Sequence, residues 1–223
     1  MTLGKYTLPH LAKSALVTID TQNDFSLPGS PALIPGTMEV VPNMVRLLDA
    51  YRSAARPIIH VVRIYQPDGS NVDLCRREAV ESGVIMLAPG SHGVQLVDAL
   101  KPGVDSRLDT PRLLAGEFQA VAEREFIMYK PRWGSFYQTD LEHFLRRQGC
   151  DTLVLCGCNF PNCPRATLYQ ASERDFRLVL VVDAISQLYP QGEAEMQNIQ
   201  VALLRTTEVI DQIASPASPS PEL

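Results

Sequence analysis

The chain is 223 residues long, enough for one domain with a sizeable core, and its 45% hydrophobic and 20% charged residues are ordinary globular composition, so no staple is needed to hold it together. With 20 Lys and Arg against 25 Asp and Glu the formal charge is −5, and no basic run is longer than Arg76-Arg77 or Arg146-Arg147, which argues against nucleic acid or an anionic membrane as partner. No stretch approaches the ~18 apolar residues of a membrane span, and three of the five cysteines crowd between 156 and 163, unlike a secreted disulfide framework, so a reducing cytoplasm is expected.

Short β-branched apolar runs alternate with longer helical patterns, which is how a mostly parallel sheet covered by helices on both faces is written. The first strand is expected at 15–19, then a helix over 38–55 in which Met44, Leu47, Leu48 and Tyr51 share one face. A second strand at 57–64 leads into residues 66–116, rich in Gly, Pro and polar side chains. An irregular stretch of that length inside a compact domain is usually a lid or binding loop, here with a short helix expected near 71–80. Further on come a strand at 125–129, a helix at 140–148, a strand at 152–156, a helix at 164–174, a strand at 177–182, a helix at 192–205 and a strand at 208–210. The unbroken apolar runs 153–155 and 178–182 read as strands buried on both faces. The fold class is therefore α/β, a three-layer Rossmann-like single domain over 1–214 with a six-stranded sheet. The Ser/Pro-rich tail 215–223 has too little apolar surface to order itself.

In an open parallel sheet, ligands sit beyond the carboxyl ends of the strands, so polar residues directly after an apolar strand are the first candidates for chemistry. Strand one ends in Asp20, opening Asp20-Thr21-Gln22-Asn23-Asp24-Phe25. The third ends in Lys130, opening Lys130-Pro131-Arg132-Trp133-Gly134-Ser135-Phe136, and the fourth runs through Gly157-Cys158-Asn159-Phe160-Pro161-Asn162 to Cys163, Pro164 and a helix. A thiol at a helix start feels the positive end of the helix dipole, which favours thiolate, and Pro164 suits the first turn. A carboxylate to take the thiol proton and an ammonium to hold negative charge would complete a nucleophilic site, so Asp20, Lys130 and Cys163 make chemical sense together. Taken singly, an Asp or Lys after a strand is more often a cap or a solvated charge. Cys156 reads as a buried hydrophobe, and Cys75 and Cys150 as bystanders. No second pair of Cys or His accompanies Cys156, Cys158 and Cys163, so a closed zinc site is not expected.

The D-x-Q-N-D-F after strand one, the K-x-x-x-x-S-F after strand three, the L-V-L-x-G-x(5)-C entering a helix and the V-V-D-A-I-S after strand five resemble the isochorismatase-like cysteine hydrolase superfamily, over about residues 15–186. That superfamily includes nicotinamidases, N-carbamoylsarcosine and ureidoacrylate amidohydrolases, biuret hydrolase and isochorismatases. The resemblance implies Asp20, Lys130 and Cys163 as the catalytic set: Cys163 attacks the carbonyl carbon, Asp20 moves the proton, Lys130 steadies charge, and a thioester forms. It also implies a cis peptide between Cys158 and Asn159, with the backbone N–H groups of Asn159 and Cys163 facing the oxyanion.

Where nicotinamidases carry D-x-H-P to hold a metal, this chain reads Ile64-Tyr65-Gln66-Pro67, so neither metal nor other cofactor is expected, and His60 reads as a satisfied interior residue. Isochorismatases proper cleave a vinyl ether and generally lack the Cys, so Cys163 favours C–N bond hydrolysis of a small amide, ureido or carbamoyl compound. The alternatives are a vinyl-ether hydrolase and a non-catalytic binding protein. Asn159-Phe160-Pro161-Asn162 departs from the family's A-T-N-V. Phe25, Trp133, Tyr137 and Phe160 are expected near the same sheet edge as pocket walls, core or lid packing being about as good a reading for Tyr137 and Phe160, and Arg132 faces either a substrate anion or solvent. A homodimer or homotetramer is the expected assembly.

Overall fold

A computed structural model describes residues 3–103 and 106–214. The tail 215–223 lies outside the described residues. A seven-stranded sheet runs in the order β3-β4-β2-β1-β5-β6-β7, built from β1 (Ser14–Ile19), β2 (Ile58–Val62), β3 (Gln119–Ala122), β4 (Glu125–Tyr129), β5 (Thr152–Gly157), β6 (Arg177–Ile185) and β7 (Ala202–Leu204). All neighbours pair in parallel except β3, which returns antiparallel on β4 at the edge. Helices α1 (Asn23–Ser26), α2 (Thr37–Ser53), α3 (Leu74–Glu81), α4 (Thr110–Leu114), α5 (Leu141–Arg147), α6 (Cys163–Ser172), α7 (Pro190–Asn198) and α8 (Thr206–Ala214) complete the domain. No helix among the described residues is long and apolar enough to cross a membrane.

Successive side chains of a strand point to opposite faces, and each face has its own core. Ala15, Val17, Ile19, Leu153 and Leu155 meet Leu141, Leu145, Leu168 and Ala171 of α5 and α6 on one side. Leu16, Ile58, Val154, Val179 and Val181 meet Met44, Leu47, Leu48 and Tyr51 of α2 and Val209 and Ile213 of α8 on the other. Every residue of β1, β2 and β5 is buried, which is why these strands carry apolar side chains at both parities.

Two expectations are corrected. The sheet has seven strands, because Gln119–Ala122 forms an edge strand of four residues, too short to stand out as a β-branched run. At the other end, the expected strand 208–210 belongs to α8, and the expected helix 192–205 stops at Asn198 before β7. A short apolar run does not by itself distinguish strand from helix. What decides here is that the Thr206 N–H and hydroxyl both donate to Asp183 Oδ1 at 2.8 Å, anchoring a helix start, while Val209 and Ile213, four apart, bury one face.

The segments 66–103 and 106–116 contribute to a third small core, in which Tyr65, Val72, Leu87, Val94, Leu96 and Leu113 pack with Phe25, Val62 and Ile64. The polar residues after β1 clip it down. Gln22 accepts from the Arg63 N–H at 2.7 Å and donates to the carbonyls of Arg63 at 2.8 Å and Val94 at 2.6 Å. Asn23 donates to His92 O at 2.9 Å, and Asp24 accepts from the Leu87 N–H at 2.6 Å.

His60 is fully buried, with Nδ1 2.8 Å from Thr18 Oγ1 and Nε2 2.7 Å from Glu125 Oε1. Glu125 also accepts from Arg52 at 2.8 and 2.9 Å. Burial works to raise the Glu125 carboxyl, but the hydrogen bonds and charges of Arg52 and His60 outweigh it and hold the group down at about 2. A pKa lowered on folding contributes stability that is complete above the unfolded value, about 4.3, and disappears as pH falls toward 2. Urea unfolding between pH 5 and 2 should show up to about 3 kcal/mol of pH-dependent stability that Glu125→Gln lacks. An identical pH profile in the variant would refute this account.

Candidate active site

Asp20, Lys130 and Cys163 come together at the carboxyl edge of the sheet from three separate segments. The Asp20 N–H donates to Val61 O at 2.9 Å and the Lys130 N–H to Val62 O at 3.0 Å, so the turns after β1 and β4 both rest on the end of β2, which lies between those strands. Lys130 Nζ donates to Asp20 Oδ2 at 2.9 Å, with both side chains withdrawn from solvent, and to Arg132 O at 3.3 Å. The other carboxylate oxygen, Asp20 Oδ1, is buried without a conventional hydrogen-bond partner. The Cys163 thiol lies close enough to interact with both Asp20 and Lys130.

Cys163 is the first residue of α6, with Pro164 in the opening turn, and its side chain is 5% exposed. Burial pushes its thiol up to about 12; the Asp20 charge works in the same direction, and Lys130 opposes it incompletely. This corrects the expectation of a resting thiolate. Desolvation penalises the charged form more than a helix end and one ammonium, itself paired to a carboxylate, favour it. Burial thus favours the protonated thiol, and the Asp20 carboxylate stands beside it.

The Lys130 segment is fastened to the Cys163 helix. Ser135 N–H donates to Thr167 Oγ1 at 3.1 Å, Thr167 Oγ1 donates to Cys163 O at 2.8 Å, and Phe136 N–H donates to Gln170 Oε1 at 3.0 Å. Gly134 permits that approach, since a Cβ there would fall 2.2 Å from Gln170 Oε1. At the end of β5, Gly157 has φ +117°, and a Cβ would lie 2.3 Å from Ile19 O, so only glycine lets the strand pass β1 into the Cys163 loop. The Cys158-Asn159 peptide is cis. The N–H groups of Asn159 and Cys163 have no hydrogen-bond acceptor among the described residues. Cys158 is fully buried, its Sγ 3.1 Å from Asp20 O, and burial raises its thiol well above the usual value.

Of the aromatic residues expected here, Phe25 is buried and Trp133 half-buried, and the Arg76 guanidinium lies over both rings, 5.1 and 5.5 Å from their centroids. Phe160 is fully buried, edge-on to Tyr189 and against Gly192, while Tyr137 is 45% exposed. Arg132 Nη1 is spent on the carbonyls of Asn71 at 3.1 Å and Pro131 at 2.6 Å, so it is tied to backbone.

Sequence reasoning overlooked Arg63, Tyr65, Asp73 and Arg76. Arg63 stands directly after β2, the very position that singled out Asp20 and Lys130, but the strand was expected to run to residue 64 and so concealed it. The nicotinamidase metal position is unsuited to an ion. Its Ile64 and Gln66 offer no imidazole or carboxylate, and the Tyr65 hydroxyl is already committed to Asp73 Oδ2 at 2.9 Å. Among the described residues no group of three His, Cys, Asp or Glu is placed to hold a metal.

A family model described as the Isochorismatase domain matches residues 14–213. A probable inactive nicotinamidase of Arabidopsis thaliana is 29% identical over 90% of this chain and 96% of its own length. Maleamate amidohydrolase of Pseudomonas putida is 28% identical over 78% of this chain and 72% of its own length. Among solved structures, an isochorismatase family protein from Desulfovibrio vulgaris superposes with a TM-score of 0.77 at 31% identity, covering 91% of this chain and 99% of that one.

Proposed function

The chain belongs to the isochorismatase family, and from that premise we propose that it is a cysteine amidohydrolase, cleaving the C–N bond of a small amide, ureido or carbamoyl compound through a thioester. The observation that carries this reading is the buried Lys130–Asp20 pair at 2.9 Å beside Cys163 at the start of α6. Asp20 takes the thiol proton as sulfur attacks the carbonyl carbon. The N–H groups of Asn159 and Cys163, which have no acceptor among the described residues, donate to the developing oxyanion, where one such donor is typically worth about 2.7–4 kcal/mol.

As the C–N bond breaks, Asp20 passes the proton to the leaving nitrogen. Water then adds to the thioester with Asp20 as base, releasing the acid and restoring the thiol. Lys130 holds the Asp20 carboxylate in place and offsets the negative charge that gathers around it. No step needs a metal, and the reading includes a cytoplasmic setting, in keeping with five free cysteines, and assembly as a homodimer or homotetramer.

The test is ammonia release over a panel of carboxamides, ureido acids and carbamoyl compounds, with intact-mass detection of an acyl adduct on Cys163. Release from at least one class, with the adduct at Cys163, is expected. A non-catalytic reading, which the name of the Arabidopsis relative favours, expects ammonia from none of them, and that result would displace the enzyme assignment. Ammonia without an adduct, from a Cys163→Ala variant as well, would place the chemistry elsewhere.

A further inference from the structure

Asp20, Lys130 and Cys163 occupy the carboxyl edge of the sheet, and the amino edge has a cavity of its own. It measures about 190 Å³, lies between the loop that follows α2 and the turn that joins β3 to β4, and its walls include Arg52, Arg56, Ile58, Glu123, Arg124 and Glu125. The length of β2, five residues, sets it about 16 Å from the turns that carry Asp20 and Lys130.

Three arginines line this cavity, and only one is paired inside it. Arg52 donates to both carboxylate oxygens of Glu125, at 2.8 and 2.9 Å. Arg56 and Arg124 are half-buried and have no carboxylate partner among the described residues. Arg56 Nη1 donates to Ala12 O and Arg124 Nη2 to Gln148 Oε1 at 3.3 Å, while the Nε of each is buried with no partner. On Arg56 this leaves unused the Nε–Nη2 edge, which can meet an oxyanion with two parallel hydrogen bonds. Neither side chain is needed to close α2, because the carbonyls of Ala50, Tyr51 and Arg52 already accept from the N–H groups of Ala54, Arg56 and Ala55. Both guanidiniums lie within electrostatic reach of the same Cys150 thiol.

Two like charges on one small cavity repel each other, and donors shielded from water without a partner are costly. Glu123, exposed at the rim, pairs with neither arginine. A doubly charged oxyanion answers both deficits at once, which a single carboxylate does not, and its geometry suits the planar fork of Arg. We propose that Arg56 and Arg124 form a binding site for a phosphate group at the amino edge of the sheet, separate from the catalytic edge and independent of the hydrolase reading. The volume admits a free phosphate ion or the phosphate of a monoester whose remainder lies outside.

The test is calorimetric titration of the full chain with inorganic phosphate and with glycerol 3-phosphate, against acetate and chloride at equal ionic strength. One site of about 0.1–1 mM is expected for at least one of the two phosphates, with acetate and chloride at least tenfold weaker, and saturation should raise the thermal unfolding temperature. Arg56→Gln and Arg124→Gln should each weaken phosphate binding at least tenfold, whereas Arg76→Gln, at the opposite edge, should bind as the wild type does. Neither of the first two strands a carboxylate; folding is checked by circular dichroism, and if one unfolds the other carries the test. Tighter glycerol 3-phosphate would identify a monoester as the ligand, and equal or tighter inorganic phosphate the free ion. No binding of either up to about 10 mM, acetate binding as well as phosphate, or unchanged affinity in Arg56→Gln or Arg124→Gln overturns the site.

Discussion

Cys163→Ala should lower amide hydrolysis by about four orders of magnitude or more, the scale on which losing a nucleophile in a three-residue machine is felt, while leaving the fold intact. The side chain is small and buried, and alanine suits a helix start well enough that thermal unfolding should shift by a few degrees at most. Cys163→Ser should be almost as inactive. A hydroxyl gives up its proton far less readily than a thiol, and Asp20 is a weak base that relies on the ease with which sulfur takes negative charge. The control is built into the chain: Cys75 is exposed, whereas Cys150, Cys156 and Cys158 are buried. Burial raises these three thiols, Cys150 to about 11. Iodoacetamide should therefore modify Cys75 without cost to turnover, and inactivation should follow the slower modification of Cys163. Full activity in Cys163→Ala, or in protein fully alkylated at Cys163, would end the nucleophile assignment.

The second large effect is on stability. Lys130→Met should destabilise the protein by about 3–5 kcal/mol, because it leaves the Asp20 carboxylate buried with no countercharge. Asp20→Asn alone strands Lys130 in the same way and, by removing the base, should also cost about 10²–10⁴-fold in turnover. The double variant Asp20→Asn/Lys130→Met should recover much of the lost stability, since neither charge is then left alone, yet remain inactive. Denaturant titration of the four proteins closes the cycle. If the double variant loses as much as the two single ones together, the pair is not the coupled unit described here. Lys130→Met at wild-type stability would lead to the same conclusion. The contrast also separates two uses of one contact, because stability returns when both partners are removed and chemistry does not.

These expectations draw on features that were not equally legible in the chain. Asp20 and Lys130 each follow an apolar strand directly, and Cys163, reached by the loop that leaves β5, precedes Pro164 at a helix start. Local patterning is enough to find such positions, because strand periodicity and helix-start chemistry act over a few residues. Their convergence then follows from the parallel sheet, which puts the carboxyl ends of β1, β4 and β5 along one edge. The glycines at 134 and 157 gave no such signal, since what requires them is the approach of Gln170 and of the β1 backbone. The edges of the sheet were equally hard to read. Gln119–Ala122 is only four residues long, with side chains that alternate between partly buried and exposed, and the last strand and helix exchange places once Asp183 is available to anchor Thr206.

The strand-and-helix alternation, the three reactive side chains and the loops that carry them are thus written in short stretches of chain, where backbone preference and apolar spacing are local. The raised pKa of the Cys163 thiol and the buried, unpartnered Nε and Nη1 of Arg63 are not. Both depend on how completely water is excluded, and that is set when residues 87–94 fold back onto Gln22, Asn23 and Asp24. Burial is a property of contacts between residues far apart in the chain, and the pKa of a thiol or the need of a guanidinium for a partner follows from it.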